Sequence, residues 1–246
     1  MKLYVVGIGP GEESQLTGKA VKALKDSQLI VGYGVYIDLI KALIPDKETL
    51  STPMKQEVDR CRLAVEAAAA GRTVAVVSSG DAGIYGMAGL IYEVLEEYGG
   101  RGITVEVIPG VTAASSAAAV LGAPLTQDFA VISLSDLLTP WEDIEKRIRS
   151  AAQAGFVICI YNPSSKKRGD YLKKACEFIM DSVDKNTPCG YVKNIGREGQ
   201  FHKVLTLGEL AEEALDMFTT VIIGNKNTRI INGKLVTSRG YKGISN

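Results

Sequence analysis

Residues Val74 to Leu90 read VAVVSSGDAGIYGMAGL, and the order of chemical types in this run decides the fold. Thr73 to Val77 is apolar and rich in β-branched residues, without a charge, which is the composition of a buried strand. The pattern breaks at Ser78-Ser79-Gly80-Asp81, and glycines recur at three-residue spacing at Gly80, Gly83, Gly86 and Gly89. A helical period starts near Met87 and runs to Tyr98, where Gly99-Gly100 supply a stop. Strand, glycine-rich turn and helix, in that order, put bare backbone N–H groups and one carboxylate at the carboxyl end of a parallel strand. Ligands of open α/β sheets bind there. Each glycine costs a helix about 1 kcal/mol relative to alanine, so this density points to close approach, either by a ligand or by neighbouring backbone in a tight strand-to-helix connection.

The same alternation extends to both sides. Lys2 to Ile8 reads as a strand ending in Gly7-Ile8-Gly9-Pro10-Gly11, followed by a helix over Thr17 to Asp26, a strand over Leu29 to Val31 and a helix over Val35 to Leu43. An amphipathic helix covers Lys55 to Ala70, and Ile103 to Ile108 is a strand that leads through Pro109 to Ala114 into a helix of small residues ending at Leu121. This half predicts a parallel or mostly parallel sheet. Gly122-Ala123-Pro124-Leu125 reads as a hinge, after which the alternation restarts. Strands are expected at Ala130 to Leu134, Phe156 to Tyr161, Pro188 to Val192 and Thr220 to Gly224, with helices at Trp141 to Ala154, Asp170 to Ser182 and Gly208 to Asp216. Arg229 to Val236 reads as a hairpin with an Asn-Gly turn. The expected architecture is two α/β domains, residues 1–122 and 123–246.

Composition removes several function classes. The 28 basic residues balance the 28 acidic ones, which removes the bulk electrostatic argument for nucleic acid. No apolar run is long enough to span a bilayer, and MKLYVVGIGPG enters a strand directly, without a signal-peptide core. Cys61, Cys159, Cys176 and Cys189 form no CxxC pair, so free thiols in a reducing cytoplasm and no metal site are expected. The single histidine, His202, builds no His-rich site. The first turn is not a Rossmann fingerprint: Glu12 stands where the third glycine belongs, Gly32-Tyr33 ends the second strand without an acid, and Pro10 removes an N–H. Walker A fails at Glu13 and Ala20, and GxSxG, HExxH and EF-hand patterns are absent.

Three stretches carry a resemblance over essentially the whole chain: VVGIGPGEESQLT from Val5, SSGDAGIYGMAG from Ser78 and PGVTAASSAAAVLGAPL from Pro109. In these the chain resembles the tetrapyrrole (corrin and sirohaem) methyltransferases. Asp128-Phe129, the run Ser133 to Trp141 (SLSDLLTPW), Tyr161-Asn162-Pro163 and Thr237 to Tyr241 (TSRGY) are similar to one branch, the C-17 methyltransferases that act on precorrin-3B or cobalt-precorrin-3 in cobalamin biosynthesis. The resemblance implies two α/β domains with a cofactor cleft between them, S-adenosylmethionine as cosubstrate, a homodimer and a tetrapyrrole acceptor. Carried over by position, it implies cofactor contacts at Pro10, Gly80, Asp81, Ala82, Ile84, Tyr85, Thr112, Ala113, Tyr161 and Asn162. Ala82 departs from the proline that many relatives carry. Thr112 also suits a helix cap, and Tyr161-Asn162-Pro163 also suits a simple turn.

The activated sulfonium and an electron-rich acceptor carbon ask the protein mainly for positioning, which agrees with a chain that has no catalytic triad. Methylation coupled to ring contraction asks for a polar group as well, and Ser133, Ser135, Asp136 and Arg239 are the candidates, with Ser133, Asp136 and Arg239 foremost. Lys166, Lys167, Arg168 and Lys193 are the candidate partners of acceptor carboxylates, or else a solvated basic turn and its neighbour. The apolar face of the Ala117 to Leu121 helix is expected to supply dimer surface. Alternatives are a methyltransferase of the same fold acting at another precorrin position or on uroporphyrinogen, a diphthine-synthase-like protein methyltransferase, and a binding module without turnover.

Overall fold

A computed structural model describes residues 1–100, 102–165 and 169–242. They divide into two compact units, Met1–Ala113 and Ala114–Asn246.

The first unit holds β1 (Lys2–Gly7), α1 (Gly18–Asp26), β2 (Leu29–Tyr33), α2 (Gly34–Ile40), β3 (Glu48–Thr52), α3 (Glu57–Ala69), β4 (Val74–Ser78), α4 (Ala88–Glu97) and β5 (Thr104–Ile108). Its five strands form one parallel sheet in the order β3-β2-β4-β1-β5. Because side chains alternate across a strand, the sheet feeds two cores. Leu3, Val5, Val31, Val74 and Val76 pack with Cys61, Ala64, Val65, Ile91 and Val94 of α3 and α4. Tyr4, Val6, Ile30, Ala75 and Val77 pack with Ala20, Leu24, Ile37 and Ile40 of α1 and α2. β4 is buried along its whole length, as its uncharged sequence requires. β3 was not foreseen: ETLST is polar and mostly exposed because it forms the sheet edge. The buried Arg60 of α3 ties it down, donating from Nε to the Thr52 hydroxyl at 2.9 Å.

The second unit begins with α5 (Ala113–Leu121), whose first residue belongs to the first unit. It continues with β6 (Gly122–Ala123), β7 (Phe129–Ser133), α6 (Trp141–Gln153), β8 (Val157–Tyr161), α7 (Tyr171–Met180), β9 (Pro188–Lys193), β10 (Phe201–Thr206), α8 (Leu207–Leu210), β11 (Thr219–Ile223), β12 (Thr228–Ile231) and β13 (Lys234–Thr237). The division between units falls after the first residue of α5, and Gly122 lies inside the second unit. α5 packs with the second sheet: the Ala114 N–H donates to the Tyr161 hydroxyl at 2.7 Å, and a Cβ on Gly190 would lie 2.8 Å from the Leu121 side chain.

The main sheet runs β10-β9-β11-β8-β7. Only β7 and β8 pair in parallel; β11 runs antiparallel to both β8 and β9, and β10 antiparallel to β9. The strand–helix alternation read from the sequence is therefore not matched by parallel pairing here. It concealed β10, which succeeds β9 through a short turn instead of a crossover helix. The helix expected over Gly208 to Asp216 is one turn long, closed by a Thr206–Glu209 capping box. Beyond it the Asp216 carboxylate accepts from the Phe218 N–H and the Thr219 hydroxyl, forming a turn instead. The hairpin expected at Arg229 to Val236 is present, with Asn232 and Gly233 both at positive φ. Ala117, Ala118 and Leu121 are buried within the chain, so the α5 face expected to cover a dimer interface is already spent on the protein's own core. No helix among the described residues is long and apolar enough to cross a membrane.

All four cysteines are free and buried. Burial pushes the thiols of Cys61, Cys159 and Cys176 up to about 12, and that of Cys189 in the same direction. The thiolate is the reactive form. A disulfide-exchange reagent at pH 8 is therefore expected to leave the native chain unlabelled and to titrate four thiols after denaturation. Rapid reaction of any one under native conditions would contradict this packing.

Candidate functional site

Three adjacent strands, β4, β1 and β5, end at one edge of the first sheet, and each ends in glycine or runs into it. A Cβ on Gly110 would lie 2.2 Å from the Gly80 carbonyl oxygen, and one on Gly7 would lie 2.7 Å from that oxygen and from the Gly110 nitrogen. Real Cβ atoms do not come this close to backbone, so the three turns nest only because these side chains are missing. Gly9 and Gly80 then exchange backbone hydrogen bonds of 3.0 and 2.7 Å, both residues at positive φ. This brings the buried Pro10 beside the Gly80 turn.

Asp81 organises the rest. Its Oδ1 accepts from the Gly83 and Ile84 N–H groups at 2.7 and 3.1 Å, and its Oδ2 accepts from the Gly110 N–H at 2.9 Å. One carboxylate thus joins the turn after β4 to the turn after β5. Ala82 is fully buried, and its carbonyl receives the Ala88 N–H where α4 starts. Thr112 and Ala113 run past Gly80, whose missing Cβ would lie 3.7 Å from the Ala113 nitrogen. Pro10, Gly80, Asp81, Ala82, Thr112 and Ala113 are therefore gathered at one strand edge. Ile84 and Tyr85 extend outward from it with 40% and 61% of their surface exposed, Tyr85 at φ 53°. Gly7 and Gly110 were not singled out from the sequence, although each lies at or just beyond the end of a predicted strand.

In the second unit, Tyr161 and Asn162 end β8 beside Ser133, which ends β7. Asn162 takes φ 52° and donates from Nδ2 to the Ser133 hydroxyl at 2.9 Å; the Ser135 N–H donates to the same oxygen at 3.2 Å. The Asp136 carboxylate accepts from the Tyr171 hydroxyl at 2.7 Å, and the Tyr171 ring packs on Trp141 with centroids 4.1 Å apart. Tyr171 carried no motif that would have marked it in advance.

Arg239 does not join Ser133 and Asp136. Gln127 binds the Ser238 carbonyl at 2.7 Å and Thr126 binds that of Thr237, which fixes the tail at the opposite end of β7. There Arg239 lines a 580 Å³ surface cavity with Thr126, Gln127, Asp128, Ala154, Gly155 and Phe156. The length of β7, roughly 13 Å at about 3.3 Å per residue, separates the two groups. Lys193 ends β9 in an ion pair with Asp216 at 2.7 Å. Burial raises the Asp216 carboxyl, but Lys193 and the turn donors outweigh it, and its pKa is lowered. Lys166, Lys167 and Arg168 lie outside the described residues.

The nested turns make a sharp test. Gly110→Ala is expected to destabilise the protein by about 1–3 kcal/mol or more through overpacking against backbone. Gly89→Ala, in exposed helix with nothing within 4 Å, is expected to be neutral or stabilising by up to about 1 kcal/mol. Urea midpoints that moved equally for both variants would contradict the nesting.

Residues 2–211 match the model of the family described as Tetrapyrrole (Corrin/Porphyrin) Methylases. The chain is 48% identical, over 97% of its length and 99% of the other, to a Salmonella typhimurium protein named "Probable cobalt-factor III C(17)-methyltransferase". Its fold is similar to that of the methyltransferase CobJ, with a TM-score of 0.90 and 37% identity, covering 96% of this chain and 99% of that one. It is also similar to the uroporphyrin-III C-methyl transferase from Thermus thermophilus solved with S-adenosyl homocysteine, with a TM-score of 0.72 and 25% identity over 91% and 97% of the two chains.

Proposed function

The chain belongs to the tetrapyrrole (corrin/porphyrin) methylase family, and on that premise we propose that it transfers a methyl group from S-adenosylmethionine to C-17 of cobalt-factor III or of the metal-free acceptor precorrin-3B. Methylation is proposed to be coupled to ring contraction, giving a contracted macrocycle at the precorrin-4 stage of cobalamin biosynthesis. The observation that carries this reading is the 48% identity with the Salmonella typhimurium relative over nearly the full length of both chains. That relative's name favours the cobalt-bearing acceptor. In this reading cobalt enters as part of the substrate.

The first unit's strand edge fits a methyl donor. Its floor is the backbone of three turns packed on one another at Gly7, Gly80 and Gly110, and it is bordered by the exposed Ile84 and Tyr85. Such a floor offers close approach and peptide hydrogen bonding, with apolar cover for a flat base. S-adenosylmethionine supplies a methyl group already activated on a sulfonium. The residues proposed to hold it are Pro10, Gly80, Asp81, Ala82, Ile84, Tyr85, Thr112 and Ala113, with Tyr161 and Asn162 from the second unit. Asp81 acts by keeping the turn in shape, since both of its oxygens are engaged with backbone N–H groups.

Ser133 and Asp136 are proposed as the polar groups next to the acceptor. Asn162 orients the Ser133 hydroxyl and Tyr171 orients the Asp136 carboxylate. The nucleophilic acceptor carbon attacks the methyl group as the sulfur–carbon bond breaks. Holding the reacting atoms in line is the protein's main contribution, and well-oriented model reactions gain about 7–11 kcal/mol from it. Arg239, at the other end of β7, is kept out of the reacting centre and is proposed instead to anchor the tail.

We also place the protein in the cytoplasm, a reading supported by four free cysteines, and as a homodimer. Exposed Ile230 and Ile231 lie on β12, one edge of a small three-stranded sheet in the order β12-β13-β6, and would be covered by a second copy.

Incubation with labelled S-adenosylmethionine tests the reading. Label is expected in cobalt-factor III, in a product that NMR shows to be methylated at C-17 with a contracted ring. A methylated product that kept an uncontracted ring and an unsubstituted C-17 would contradict it.

A further inference from the structure

The loop from Ser133 to Trp141 is fixed at both ends and apolar at its tip. At its base, Ser133 is hydrogen-bonded to Asn162 and to the Ser135 N–H. Further along, Asp136 is held by Tyr171, which packs on Trp141, and Trp141 in turn lies 6.2 Å from Phe178. Between these anchors Leu137 and Leu138 are 63% and 98% exposed. Single exposed leucines are ordinary on a surface, but two in succession at the tip of a braced loop form a small apolar patch beside a candidate site. Their neighbour Thr139 and the preceding Asp136 are polar, so the apolar character is confined to these two positions.

Methyl transfer requires donor and acceptor atoms to meet at about 3–3.5 Å. If Tyr161 and Asn162 touch the donor, the acceptor must lie within reach of them, and the direct hydrogen bond from Asn162 to Ser133 makes the β7–α6 loop the adjoining surface. We propose that Leu137 and Leu138 form the platform on which the apolar face of the tetrapyrrole macrocycle rests, with the Asp136–Tyr171 hydrogen bond and the Tyr171–Trp141 ring contact holding that platform at a fixed height. This rests on the functional reading above and adds specific acceptor contacts to it. A flat, largely apolar macrocycle gains contact area on such a surface, while its carboxylate rim stays free for polar partners.

Trp141 is the chain's single tryptophan and stands three residues after Leu138, so its emission reports on this loop. Cobalt-factor III absorbs where tryptophan emits, and its binding here is expected to quench Trp141 saturably, whether or not a methyl group is transferred. Leu137→Asn and Leu138→Asn should each raise the dissociation constant for cobalt-factor III about tenfold, as loss of a central apolar contact does. The affinity for S-adenosylhomocysteine, measured by calorimetry, should stay unchanged, which a general loss of structure would not allow. The acceptor KM should rise by more than kcat falls. Unchanged acceptor binding in both variants, or no binding to the wild-type chain, would overturn the proposal. So would a wild-type oligomer that Leu138→Asn dissociates in sedimentation, because the leucines would then cover a second copy. Wild-type quenching without methyl transfer would leave the platform standing and overturn the functional reading instead.

Discussion

The Gly80 carbonyl oxygen occupies space that a side chain on Gly7 or Gly110 would need, and the candidate site depends on that exclusion. With no Cβ at these positions, the turns after β1, β4 and β5 approach to backbone contact, and Gly9 and Gly80 pair across the gap. The Asp81 carboxylate then closes the arrangement by taking N–H groups from two of the three turns. The result is a strand edge floored by peptide groups. Such a floor is costly in chain entropy, since glycine loses the most freedom on folding. The sheet beneath it offsets that cost with a central strand, β4, buried from end to end and cores on both faces.

The second unit solves a different problem. It needs only modest local strain, an Asn162 at positive φ, to aim an amide at Ser133. Rigidity comes from the Asp136–Tyr171 hydrogen bond and the Tyr171–Trp141 ring contact, which brace the loop above its core. Among the described residues the hydrogen bonds at both candidate regions serve to hold turns and side chains in position. That matches a reaction in which the donor arrives activated and the protein's work is alignment. The four thiols fit the same picture, since burial raises their pKa and they serve as packing groups.

Periodicity made much of the fold legible in the sequence. β1, β2, β4 and β5 are apolar runs ending in glycine or proline, and the helices between them repeat every three to four residues, so the parallel sheet could be read directly. β3 could not, because an edge strand flanked by prolines turns only Leu50 of its ETLST run toward the apolar core. β10 was hidden for a related reason: FHKVLT is half exposed, and nothing local tells an antiparallel return from a loop. Strand direction in the second sheet depends on how long the connections are, and a cryptic strand changes that count. Within the site, glycine spacing located the turn at Gly80 and left the interlocking Gly7 and Gly110 unremarked, since steric exclusion between distant turns has no sequence period. Arg239 shared a motif with the chain's other distinctive runs, yet the pairing of Gln127 with Ser238 carries it to the far strand end. Tyr171 shows the converse, a residue with no motif that sets the position of one that has.

The central claim is that the nested turns of the first unit seat the methyl donor. A crystal structure of the protein with S-adenosylhomocysteine tests it most directly. The account predicts ligand density in contact with the backbone of Gly80 to Ala82 and of Thr112 to Ala113, with Asp81 still bound to the Gly83, Ile84 and Gly110 N–H groups. Ligand density at another edge of either sheet, with these turns bare, would contradict it.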